Sequence, residues 1–213
     1  VMRMKRFTGA LAFALAAGLI GTAAAQDAVK DSPYYPLQVG NTWTYQTMGG
    51  TIIMKVAAHE KTNGEPTAKI ETIVNDKVVA SEHVAVKEDG IYRYSINDQK
   101  PDEPVRFLKL PPKAGDTWDV DTKIQDQAIK GKFTLKEEKV KVGGKDYNTV
   151  VAEGKDFQIA GQKTSIKYWF AEGVGIVKLS FSLDGQEAVL ELQKFEAAGK
   201  EAKEPKDAKE TKP

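Results

Sequence analysis

The chain contains no cysteine and only two histidines, His59 and His83, in 213 residues. Without a thiol there is no disulfide, no cysteine nucleophile, no thiolate metal site and no acceptor for the lipid of a bacterial lipoprotein. An excess of one charge is missing too. The 31 basic residues stand against 30 acidic ones, so no strong field steers the chain to nucleic acid or to anionic lipid. No long segment keeps a 3.6-residue period, which argues against crossover helices and a parallel sheet. No residue pattern calls for a cofactor.

What is present begins with an address. Arg3, Lys5 and Arg6 precede the apolar run from Leu11 to Ile20, and the small residues Ala23, Ala24 and Ala25 follow. A basic start, a short apolar core and an A-x-A site make a secretory signal peptide, with cleavage expected after Ala25. The apolar run is short for a span, which takes about 20 apolar residues. Val1 before Met2 reads as a bacterial GTG start, so the expected destination is the periplasm or the exterior. Losing the leader takes the 31 basic residues to 28, against 30 acidic ones. From Gly199 onward the chain reads GKEAKEPKDAKETKP. It has no large apolar residue there, so residues 199–213 are expected to be a disordered Lys/Glu-rich tail. A tether to an anionic envelope polymer is the alternative reading. Residues 26–198 are then one domain.

Within that domain the period is two. In IVKLSFSL, Val177, Leu179 and Phe181 share one face, while Lys178, Ser180 and Ser182 share the other. In IKGKFTL, Ile129, Phe133 and Leu135 face in. In IYRYSI, Ile91, Arg93 and Ser95 oppose Tyr92, Tyr94 and Ile96. Such alternation marks half-buried strands. Turn residues punctuate it at Gly49-Gly50, Asn63-Gly64, Asn75-Asp76, Asp89-Gly90, Gly143-Gly144 and Asp184-Gly185, where positive φ is tolerated. The pattern predicts an all-β antiparallel meander of about eleven strands, curled into a curved sheet, half-barrel or barrel.

One phrase occurs twice: Val39-Gly40-Asn41-Thr42-Trp43 and Ala114-Gly115-Asp116-Thr117-Trp118. Glycine with Asn or Asp makes a tight reversal, and Thr-Trp then opens a strand with the indole turned to the core. The repeat predicts a strand-entry device used twice, and local reuse explains it better than duplication.

Tyr34-Tyr35-Pro36-Leu37-Gln38-Val39-Gly40-Asn41-Thr42-Trp43 and the later Trp169-Phe170-Ala171-Glu172-Gly173-Val174-Gly175-Ile176-Val177-Lys178 resemble the opening and closing phrases of a group of uncharacterised exported bacterial β-proteins. That resemblance implies an exported domain and transfers no functional residue. More remotely, the chain is similar to the half-barrel carriers of periplasmic lipoproteins, which cover their sheet with helices.

Chemical constellations are thin. A zinc site from His59, His83 and Glu60 or Glu82 needs two strands to pair closely, and the spacing is not that of metal ligands. Ser81 lies near His83 without a nucleophile elbow. Asp116, Asp119, Asp121 and Asp126 lack the glycine and terminal glutamate of a calcium loop. Gly173-Val174-Gly175 precedes a strand, so it is no phosphate cradle. Tyr34, Tyr35, Tyr45, Tyr92 and Tyr94 suit core packing as well as a ligand surface. The candidate ligand platform is Tyr92, Tyr94 and Trp169. The expected function is a non-catalytic exported β-domain holding an apolar or amphipathic ligand. An envelope-associated interaction protein is the alternative and a hydrolase a distant third, with no nucleic-acid partner and no membrane span after cleavage.

Overall fold

The computed structural model describes residues 28–183 and 185–199; the expected leader, residues 1–25, and residues 200–213 of the expected tail lie outside them. The described residues form twelve antiparallel strands and no helix, one strand more than the pattern suggested. They are β1 (Thr42–Thr47), β2 (Gly50–Thr62), β3 (Glu65–Val74), β4 (Lys77–Lys87), β5 (Gly90–Ile96), β6 (Val105–Lys109), β7 (Thr117–Ile124), β8 (Gln127–Val142), β9 (Lys145–Ile159), β10 (Gln162–Ala171), β11 (Gly175–Leu183) and β12 (Gln186–Glu196).

The sheet order is β6-β5-β4-β3-β2-β1-β12-β11-β10-β9-β8-β7. Each strand pairs with its sequence neighbours, and β1 pairs with β12, so the meander closes on itself except between β6 and β7. That seam has no ladder. A Pro101–Ile124 bridge and side chains join it instead. Trp118 Nε1 donates to Arg106 O at 2.8 Å, and Thr122 Oγ1 both accepts from Glu103 N and donates to Glu103 O.

An antiparallel meander alternates its ends. The connections after odd-numbered strands gather at one end, here called the mouth. Those after even-numbered strands gather at the other end with the first and last described residues. Residues 28–41 cork this closed end. Tyr35 and Leu37 are each 1% exposed there. The Tyr35 ring lies 5.4 Å from Trp43 and edge-on to Phe107. The strap is tied at several points: Leu37 N donates to Asp31 Oδ1, and Gly173 N to Pro33 O. His59 Nε2 lies 2.7 Å from Leu37 O.

The repeated phrase does the same backbone work twice. Gly40 N donates to Val56 O, Asn41 N to Gln38 O, and Val56 N to Asn41 O. Gly115 N donates to Leu135 O, Asp116 N to Lys113 O, and Leu135 N to Asp116 O. The two phrases open β1 and β7, the first strands of two six-strand halves. Their side chains differ for a reason. Asn41 donates to Pro36 O and accepts from Ala198 N, which needs both ends of an amide. Asp116 pairs with Lys109 at 3.0 Å, which needs only an acceptor.

The interior is packed with rings. Phe107, Tyr168, Phe170, Phe133 and Phe157 form a chain with centroids 4.8 to 6.3 Å apart. Phe157 lies flat on Gly131 and Gly154: a Cβ at either would come within 2.4 to 2.6 Å of its ring.

Candidate functional site

The hollow in the interior lies at the mouth end. It is a cavity of about 90 Å³ between the ends of β5, β7, β8, β9, β10 and β11. Its walls are apolar, with Ile96, Ile124, Ile129, Ile159, Ile166 and Phe181 around the opening. Strand alternation puts these side chains on the inner face, and the cork is at the other end. A binding pocket for a whole lipid occupies roughly 300 Å³ or more. This one holds a single short apolar group.

The floor of the cavity is polar. Arg93 lines it, together with Tyr168 and Phe107. Arg93 Nε donates to Glu82 Oε2 at 2.5 Å and Nη1 donates to Tyr168 Oη at 3.3 Å. The guanidinium carbon stands 5.0 Å over the Phe107 ring. Both members of the pair are largely buried, at 17% and 12% side-chain exposure. Burial opposes the charge on Arg93, yet the Glu82 carboxylate and Tyr168 outweigh it and raise its pKa. The same carboxylate, after burial itself, holds the Tyr35 and Tyr45 hydroxyls protonated.

A bulge just beyond Arg93 brings Ile96 to the same cavity. Val84 pairs with Arg93 and His83 with Ser95, leaving Tyr94 as the extra residue. Ile91 and Arg93 therefore face in as the alternation implies. Beyond the bulge the faces exchange: Ile96 turns in, and Ser95 turns out to meet His83.

The predicted platform residues are found on two strands. Tyr92 and Tyr94 sit on β5 beneath Lys87, whose ammonium is 5.7 and 5.4 Å from the two rings. Tyr94 is 5% exposed. Trp169 is on β10, with six strands between in the hydrogen-bonded order. Lys167 and Lys178 hold their ammoniums 4.3 and 5.6 Å from its ring. Its indole N–H is buried without a partner.

The histidines do not meet. His59 serves the cork, and His83 lies between Ser95 Oγ, 2.7 Å from Nδ1, and Glu60 Oε2, 3.1 Å from Nε2. This Ser-His-Glu line was invisible in sequence, because Glu60 and Ser95 lie on β2 and β5. Ser95 is 1% exposed, so its hydroxyl has no room for a substrate carbonyl. Hydrogen bonding within the sheet is enough to explain it. Among the described residues no group of three or more His, Asp or Glu is placed to hold a metal ion. Asp119 and Asp121 face Lys132 and Lys130 across the strands, at 3.3 and 3.2 Å. A more polar groove of about 390 Å³ at the closed end is lined by Tyr34, Glu137, Glu138 and Glu172. Burial, then the Glu172 and Glu137 carboxylates, raise the Tyr34 pKa.

No family model matches the chain, and no curated protein matches it. Two crystal structures are similar. One is a candidate lipoprotein from Parabacteroides distasonis, 10% identical over 80% of this chain and 100% of that one, with a TM-score of 0.49. The other is a candidate exported protein from Bacteroides fragilis with a YmcC-like fold. It is 14% identical over 77% of this chain and 99% of that one, with a TM-score of 0.50. At 14% identity the second likeness is one of fold, and the residues of the site gain nothing from it.

Proposed function

We propose that the protein is an exported, non-catalytic β-barrel whose mouth holds the apolar end of a small amphipathic molecule. The observation that carries this is the cavity of about 90 Å³, apolar at its opening, in a barrel corked at the opposite end. The size limits the guest to one short aliphatic or aromatic group. The leader motif over residues 1–25 supports export. The test is an NMR titration with 1-hexene. Resonances of Ile124, Ile129 and Phe181 are expected to shift saturably, and Ile96→Asp, which sets a carboxylate on the 39% exposed rim position, is expected to weaken binding at least tenfold. Absence of saturable shifts at these residues ends the reading. Mass spectrometry of protein from its own host tests export; a cytoplasmic form retaining residues 1–25 would count against it.

A second reading rests on a different observation. Met48 at 99%, Val78 at 56% and Val79 at 57% are exposed apolar side chains at the mouth end. They suit an envelope-associated interaction protein that presents this end to a partner. A pull-down from cell-envelope material with Met48→Ser/Val78→Ser/Val79→Ser tests it: retention equal to wild type removes the idea.

A further inference from the structure

The ion pair at the floor of the mouth cavity is unusual in its surroundings. A buried Arg–Glu pair is costly to desolvate, and well-packed apolar residues often replace one without loss of stability. A pocket that recognises a small molecule combines apolar walls with a few fixed polar groups that set its orientation. Arg93 has five N–H donors, and its hydrogen bonds engage one on Nε and one on Nη1. Among the described residues, the buried side-chain nitrogen without a partner is Trp169 Nε1. Nη2 takes part in neither of these bonds, and Arg93 lines the cavity. Tyr168 Oη accepts from Arg93, which leaves its own proton to donate, and its ring lines the same cavity. Two residues with a donor to spare thus line a cavity of mostly apolar walls, where the other polar residue, Thr164, donates its hydroxyl to Ser182 O.

We infer that the molecule held in the mouth carries an uncharged carbonyl, an ester or amide, whose oxygen accepts hydrogen bonds from Arg93 and Tyr168 while its short chain lies among Ile96, Ile124, Ile129 and Phe181. This inference rests on the proposed mouth-binding function and adds the class of the polar group. The neutral choice follows from charge. Glu82 already balances Arg93 at 2.5 Å, so a carboxylate guest would shed its hydration to join a pair that carries no net charge. An ester or amide oxygen takes the same donors with a much smaller desolvation cost.

The experiment compares methyl pentanoate, pentanoate and 1-hexene by NMR titration of the full chain. Methyl pentanoate is expected to bind at least tenfold more tightly than 1-hexene, and at least as tightly as pentanoate at pH 7. Equal affinity of ester and 1-hexene overturns the inference while leaving the mouth-binding function standing. Pentanoate binding tenfold tighter than the ester also overturns it, since the head would then be an anion. If none of the three binds, both fall. The double variant Glu82→Leu/Arg93→Met removes the pair together, leaving no buried charge alone. It is expected to lose the preference for the ester over 1-hexene. If the variant keeps that preference, the donors are not Arg93 and the inference fails. If it does not fold, the wild-type series alone decides.

Discussion

Trp43 Nε1 donates a 2.6 Å hydrogen bond to the carbonyl of Val174, 131 residues along the chain. Two residues on, Tyr45 Oη donates to Ile176 O at 2.7 Å. The opening and closing phrases thus meet over β12, the strand between β1 and β11. Trp43→Phe keeps most of the ring area and leaves the Val174 carbonyl without its donor. A buried polar group stranded in this way costs about 1–3 kcal/mol. Urea unfolding is expected to show a loss of that size for Trp43→Phe and a larger one, about 3–5 kcal/mol, for Trp43→Ala, where a cavity is added.

Gly175 stands beside that bond with φ at +98°. A Cβ there would come 3.1 Å from Tyr35 Cδ2 and 3.3 Å from Trp43 Nε1. Gly161 has a similar φ of +81° with nothing within 4 Å of its would-be Cβ. Gly161→Ala is expected to cost about 1 kcal/mol, the backbone penalty alone. Gly175→Ala is expected to cost more, because the cork must move. Equal losses in chemical unfolding would show that the strap gives way freely.

The repeated phrase offers a paired exchange. Asn41→Asp removes the Nδ2 donor to Pro36 O and is expected to cost about 1–2 kcal/mol. Asp116→Asn weakens a partly exposed pair with Lys109, worth about 0–1 kcal/mol. Thermal unfolding of the two variants is expected to rank them in that order.

Asp89 accepts from the Tyr92 hydroxyl at 2.6 Å and from Arg106 at 3.0 Å. First the Tyr92 hydrogen bond, then Arg106, holds its carboxyl below the ordinary range against partial burial. A depressed folded pKa gives stability that is present above the unfolded value, near 3.9, and is lost as pH falls through the folded value. The side chain is 59% exposed, so solvent screens the effect. Tyr92→Phe is expected to raise the Asp89 titration midpoint measured by NMR, and Asp89→Asn to flatten the fall in stability below pH 4. An unmoved midpoint in Tyr92→Phe would remove Tyr92 as the cause.

Ser95 tests the hydrolase reading directly. With the hydroxyl buried, a fluorophosphonate probe is expected to leave it unlabelled in the native protein, as read by peptide mass spectrometry. Labelling of Ser95 but not of Ser95→Ala would make the Ser-His-Glu line an active site.

Much of the barrel was legible because alternation and turn chemistry are local. Phe133 and Leu135 turn inward as the pattern of IKGKFTL requires, and Asn63-Gly64 and Gly143-Gly144 sit in turns. The repeated Gly-Asx-Thr-Trp phrase announced its strand entries for the same reason. Of the site, alternation put Ile129 and Phe133 inward, Phe181 with Val177 and, on the face of Ile91, Arg93. Its partner Glu82 is on another strand, and the bulge at Tyr94 reverses the faces beyond it. Glu60, His83 and Ser95 come together only through the register of four strands. No local pattern carries such pairings, because they depend on how β2 to β5 line up.

The pairing of β1 with β12 joins Thr42 to Glu196, whereas the other ladders join consecutive strands. The hairpins can therefore zip as they emerge, while the ring waits for the last strand. Pairings of long sequence separation form slowly. A chain that emerges from its N-terminus would therefore stand as an open ribbon of hairpins until β12 is out and closes the ring on β1.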